Sequence, residues 1–197
     1  MRFAASPDLS RCGPALIFSA PILIAVTLYQ FPGIVGFTGT KNHGSLIQPA
    51  RPLESIRLLE NNEALDIKAF EGRWTYVTFS QGACATECSE RLYKTRQVRH
   101  ALGKDMERAQ RLLIVLEDSG MPDSQLLEVH KDMRIAKAVE FDKWGSDFEL
   151  DNSLVTEYIY LVDPLGNLMM HYTPEIDGPL ILKDIQRLVK VSWIKPK

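Results

Sequence analysis

The sequence predicts an α/β fold, a central mixed sheet flanked by helices, preceded by one transmembrane helix. Three observations predict it. Residues 14–37, PALIFSAPILIAVTLYQFPGIVGF, carry no charge. Behind them, short apolar runs rich in β-branched and aromatic residues alternate with amphipathic stretches of helical period. The chain has 197 residues, and the roughly 150 behind the apolar stretch are enough for one domain with its own core. A formal net charge of -2 gives no reason to expect nucleic acid. The 3 cysteines are too few for a disulfide scaffold.

Residues 1–13 read as a cytoplasmic N-terminus. The span 14–37, about 24 residues, is long enough for a bilayer core of ~30 Å. Pro21 and Pro32 are tolerated in membrane helices. A cleaved signal peptide fits less well, because the run is long and no small-x-small site follows it. Cys12 precedes the run, whereas a lipidated cysteine would follow it, so Cys12 reads as a bystander. Arg2 and Arg11 before the span nearly balance Lys41 and Arg51 after it. An inside N-terminus suits a bacterial signal-anchor and puts the rest of the chain in the periplasm. Residues 38–52, TGTKNHGSLIQPARP, read as a linker. His43 within it is an alternative metal donor near the membrane. Residues 53–197 form the domain.

Within the domain, Leu53 to Phe70 holds one or two short strands, and Gly72 separates them from the main strand, Trp74 to Phe79. After the turn Ser80-Gln81-Gly82-Ala83 come Cys84 and Cys88, then good helix formers to about Leu102. Both sulfurs are expected in the first turn of this helix, on one face, where the positive end of its dipole favours thiolate. Helical spacing puts their Cα atoms about 6 Å apart, within reach of a disulfide. Two such thiolates also offer soft ligands for Cu(I). Leu92, Tyr93, Val98, Ala101 and Leu102 are expected on the apolar face of the helix. Arg91, Lys94, Arg96, Arg99 and His100 are expected on a basic face, either solvated or docking an acidic partner.

Gly103 ends this helix, and Arg111 to Glu117 is the next buried strand. Ser124 caps a helix after the turn Gly120 to Asp123. Ala136 to Phe141 is a short strand, and Phe141 to Phe148 a short helix or loop. Tyr158 to Val162 and Asn167 to Tyr172 pair as a hairpin across the turn Asp163-Pro164-Leu165-Gly166. Pro179 opens a last amphipathic helix to about Val191.

Buried strand, Gly82, CxxxC and helix, together with Tyr160-Leu-Val-Asp-Pro-Leu-Gly166 and the preceding anchor, resemble the Sco/SenC proteins. The resemblance implies a thioredoxin-like fold for residues 53–197. It implies a membrane-anchored accessory factor in cytochrome c oxidase assembly, in which Cys84 and Cys88 act as a redox pair, as thiol donors or as Cu(I) ligands. Copper is then the candidate cofactor. An oxidase subunit or another assembly factor is the candidate partner, and the inner (plasma) membrane the expected location. The family's third copper ligand, a histidine, falls by position at Val155, and its prolines beside the cysteines are replaced by Ala85 and Ser89. His100 lies about 18 Å along the helix from Cys88, too far to share a metal. His130 is expected on the surface. His171, beside Met169 and Met170, is a further candidate donor. Two other functions compete: a periplasmic thiol–disulfide oxidoreductase and a scaffold with a static disulfide. Thioredoxin-like reductases usually carry a cis-proline facing the cysteines, and Leu154-Val-Thr156 has none.

Overall fold

The computed structural model describes residues 13–30, 42–116, 120–150 and 153–194. They fall into two units, divided after Lys41. The first contains helix α1 (Gly13–Gln30), 18 apolar and small polar residues with Pro21 inside. Among the described residues no helix is long and apolar enough to cross a membrane. Residues 31–37 of the predicted span, and the predicted cytoplasmic segment up to residue 12, lie outside the described residues.

The second unit is built on one eight-stranded sheet. Its strands are β1 (Ser45–Pro52), β2 (Leu58–Glu60), β3 (Glu63–Ala64), β4 (Trp74–Ser80), β5 (Ala109–Val115), β6 (Arg134–Ala138), β7 (Ile159–Val162) and β8 (Asn167–Tyr172). Their order is β1-β8-β7-β4-β5-β6-β2-β3. β4, β5 and β6 are parallel, and the remaining pairs are antiparallel. The helices are α2 (Thr86–Ala101), α3 (Ser124–Val129), α4 (Phe141–Trp144) and α5 (Gly178–Val191). Every residue of β4 and β5 is buried. Parallel strands covered on both faces require this, which is why WTYVTF and RLLIV read as continuous runs and not as alternating ones.

The period of two splits the core between the faces of the sheet. Val77 and Phe79 of β4 join Ile114, Tyr160 and Val162 on one face, with Trp144 and Phe148 over them. The Phe79 ring meets Phe148 and Tyr160 edge-on at 5.0 and 5.7 Å. Trp74 and Tyr76 face the other way, with Ile159, Leu161, Met170 and Tyr172. There α5 supplies Ile181, Ile185 and Val189, and α2 supplies Val98.

Two sequence expectations change here. Residues 45–52 were expected within a linker; they form β1, which pairs antiparallel with β8 and buries Ile47. Pro49 and Pro52 read as breakers, but an edge strand tolerates proline, and here the register breaks between Leu46 and Arg51. The chain is held at the entry to β1 by the buried Asp184 of α5. Its carboxylate accepts from the backbone N–H of His43 and Gly44 at 2.8 and 2.9 Å. The packed unit therefore starts at Asn42, before the expected boundary at Leu53.

The basic face expected on α2 is also absent. Arg91 is buried. Arg99 donates to Ala109 O at 2.8 Å and pairs with Asp132 at 3.1 Å. Lys94 donates to the carbonyls of Pro174 and Ile176. Of the five residues only His100 is fully exposed. The helix packs against the sheet and against α5, and Lys94 and Arg99 clamp it there. Tyr93, expected on the apolar face, is exposed, because consecutive helical residues point about 100° apart and Leu92 takes the core.

Candidate functional site

Strand β4 ends at Ser80, and the chain turns through Gly82, whose φ of 72° suits glycine. Cys84 follows at φ 60°, a left-handed conformation that costs a non-glycine residue roughly 1–2 kcal/mol. Ala85 is the N-cap of α2, and its carbonyl accepts from Ser89 N at 3.0 Å. Cys84 thus precedes the helix and only Cys88 lies in it, which corrects the expectation of two sulfurs in one helical turn. The left-handed residue folds Cys84 back over the helix start. The two cysteines form a disulfide with Cα atoms 5.1 Å apart.

The sulfurs differ in access. Cys88 is buried among Leu92, Leu113, Val115 and Met133, and Cys84 packs partly buried against that cluster. They open on a cleft of about 420 Å³ that Ser80, Gln81, Arg91, Leu154, Thr156 and Glu157 also line. The last three belong to the 3-10 turn Val155–Glu157 and its approach. Val155 itself lines an adjoining cavity with Phe141 and Leu116 and packs against the core cluster of Phe79 and Phe148, not against that of the cysteines. Among the described residues the cis peptide bond is Gln48-Pro49, in β1, and none faces the cysteines.

One arginine, Arg91, and two glutamates, Glu87 and Glu157, share the cleft with the pair. Burial pulls the Arg91 guanidinium down from its ordinary pKa, while Glu87 and Glu157 oppose that shift. Behind the helix, the buried Arg111 of β5 donates to Leu92 O at 2.6 Å, Thr95 Oγ1 at 3.1 Å and Asp132 Oδ1 at 3.1 Å. Its Nη2 also meets His130 Nδ1 at 3.1 Å. Arginine can only donate, so Nδ1 is the acceptor and the ring proton sits on Nε2. Burial lowers the Arg111 pKa to about 10, against the pull of Asp132. Burial and then Arg111 hold His130 below the ordinary histidine value. For Asp132 burial acts upward, but Arg111 and Arg99 outweigh it and keep its carboxyl low. His130 is therefore a core residue, where the sequence suggested surface. Neither Arg111 nor Asp132 stood out in the sequence, since one is a charge inside a strand and the other a loop acid.

The other donors stay apart from the sulfurs. His100 ends α2. His171 lies on β8 opposite Tyr160, its ring edge-on to Tyr158 at 5.3 Å. The neighbouring Met170 is in the core. Among the described residues no three histidine, cysteine or carboxylate side chains gather into a metal site. The cleft offers two sulfurs beside Arg91, and although Glu87 and Glu157 also line it, no third donor among the described residues gathers with the sulfurs, which does not fit a three-donor copper centre.

A family model described as the transmembrane-like, thioredoxin-like C-terminal domain matches residues 74–192. Among solved structures, yeast Sco1 with copper bound is 19% identical, with a TM-score of 0.54 over 78% of this chain and 96% of that one. BsSco, described by a disulfide switch and as a member of the Sco family of cytochrome c oxidase assembly proteins, is 10% identical. Its TM-score is 0.55, over 75% of this chain and 99% of its own. The thioredoxin domain of a thiol-disulfide oxidoreductase from Bacteroides vulgatus is 17% identical, with a TM-score of 0.50 over 74% and 96%. At these identities the likeness is one of fold, and that fold is thioredoxin-like. No curated protein matches the chain.

Proposed function

Since the chain belongs to the family of transmembrane-like, thioredoxin-like C-terminal domains, we propose that it is a membrane-anchored thiol–disulfide accessory factor of the Sco kind. It would serve cytochrome c oxidase assembly from the periplasmic face of the inner membrane. The observation that carries this reading is the Cys84–Cys88 disulfide at the junction of β4 and α2, with one sulfur more accessible than the other. The fold shared with BsSco, whose description names both a disulfide switch and oxidase assembly, supports the choice of pathway.

The chemistry follows from access. A partner thiolate reaches Cys84 through the cleft and attacks its sulfur. The intramolecular bond breaks and Cys88 departs as the leaving group, at the N-terminal turn of α2, where the helix dipole favours negative charge. The mixed disulfide on Cys84 is then resolved by a second thiol or by the return of Cys88. Thr156 and the exposed Leu154 form the rim against which the partner chain would lie. Among the described residues the pair lacks a third donor for copper, and the exchange needs only thiols.

Thiol trapping tests the reading. Cys84 and Cys88 should be blocked in protein isolated under oxidising conditions, labelled after mild dithiol treatment, and blocked again on reoxidation. Thiols that never re-form the bond, or a bond that mild dithiol cannot open, would mean a static structure. The anchor and its direction are tested by reporters fused to the C-terminus, with activity expected from the periplasmic reporter only.

A further inference from the structure

Arg91 follows Cys88 by three residues on α2, so the two share a face of the helix. It is 7% exposed, and it lines the same cleft as both sulfurs. Among the described residues its Nε has no hydrogen-bond partner and the ion pairs leave it out. Glu87 and Glu157 line the cleft too, but they act on Arg91 through space and form no ion pair with it among the described residues. A buried cation without a bonded anion is costly. The disulfide is neutral and does nothing to offset that cost. A reduced pair carrying one thiolate does.

We propose that Arg91 is the charge-compensating residue of this disulfide, placed to stabilise the negative charge that develops on the Cys88 sulfur when the bond opens. The proposal rests on the redox reading of the pair given above. The step balances with a dithiol as reductant. One sulfur of the dithiol, deprotonated, attacks Cys84, and the Cys84–Cys88 bond breaks with its electron pair leaving on Cys88. The second sulfur of the dithiol loses its proton to water and attacks the first, closing the reductant's own disulfide. Cys84 is released and takes up a proton. The dithiol loses two electrons and the protein's disulfide gains them, leaving one thiol and one thiolate. Arg91 favours this product over the neutral disulfide, so it makes the pair a stronger oxidant. It acts as a positioning charge and takes no part in the bonds made or broken.

The test is the equilibrium of the full-length protein, in detergent, with reduced and oxidised dithiothreitol at fixed pH. Arg91→Met fills the same slot without charge. Its disulfide should be about tenfold harder to reduce, a shift of about 30 mV to lower potential. Arg91→Lys should lie between wild type and Arg91→Met, which a merely structural role would not produce. If Arg91→Met does not fold, as judged by circular dichroism, Arg91→Gln takes its place under the same criteria. An uncharged variant within about twofold of wild type, or a Lys variant as low as the uncharged one, overturns the proposal. A wild-type pair that does not cycle at all overturns the redox reading and this inference with it. A pair that cycles with an unchanged potential in the uncharged variant overturns only the role of Arg91.

Discussion

Replacing Arg111 by Met should destabilise the domain by about 3 kcal/mol, most of it by loosening α2 behind the disulfide. The guanidinium is buried and donates to three oxygens on two elements, while a fourth contact goes to the ring of His130. Hydrogen bonds from a charged group are worth roughly 1.5–3 kcal/mol each, and a buried acceptor left alone costs roughly 1–3 kcal/mol. Several terms reduce the sum. Thr95 keeps its own bonds to Arg91 O and Leu92 O. Asp132 is 26% exposed and keeps Arg99 at 3.1 Å. Removing a desolvated cation also returns part of its burial cost. Hence about 3 kcal/mol and not twice that, equivalent to a fall in Tm of about 6–12 °C. Urea unfolding of wild type and Arg111→Met measures the loss, and hydrogen exchange in α2 shows where it falls. Arg111→Met/Asp132→Asn should cost at least about 1 kcal/mol less than the sum of the single changes, because the two groups share one network. A loss below about 1 kcal/mol in Arg111→Met, with α2 exchange unchanged, would refute the view that this arginine secures the helix.

Further outcomes are expected. The folded pKa of His130 lies below its ordinary value, so the unfolded chain takes up its proton first. The stability it protects is complete above about pH 6.5 and is lost as pH falls through the lower folded value; urea midpoints across that range should fall in wild type and stay flatter in His130→Gln. A Cβ on Gly44 would lie 2.6 Å from both Met170 Sδ and Tyr172 Cε1, so Gly44→Ala should cost roughly 1–3 kcal/mol by overpacking, read by thermal unfolding. Leu154 lines both the sulfur cleft and the cavity beside it, whereas Val155 lines only the second. Of the two histidine substitutions, Leu154→His should therefore increase Cu(II) retention by the reduced protein and Val155→His should not, as followed by titration with a competing chelator. Equal retention would put the third position elsewhere.

The strands were legible because burial dictates composition. β4 and β5 must be apolar on both faces, and the hairpin β7–β8 turns at an Asp-Pro-Leu-Gly segment whose residues suit a turn. The position of the cysteine pair, between a buried strand and a helix, was legible for the same reason. The edge strand β1 was not, since Pro49 and Pro52 are turn residues until a neighbouring strand and the Asp184 carboxylate give their segment a partner.

What the sequence by itself determined, then, is the order of strands and helices behind β1 and the place of Cys84 and Cys88 between a buried strand and a helix, because these depend on local composition and short spacing; the thioredoxin-like class came with the family resemblance. What only the tertiary structure decided is the environment of that pair. In the sequence Arg91 and Arg99 belong to a basic helix face and Arg111 to the start of a buried strand with no partner in view; in the fold Arg99 and Arg111 meet Asp132, and Arg91 is buried beside the cysteines. Val155 sits at the expected sequence position, but in the fold it packs against the cluster of Phe79 and Phe148 and not against the cysteines. Burial and charge compensation depend on contacts between residues far apart in sequence, and no local pattern encodes which of those contacts the packed chain will make.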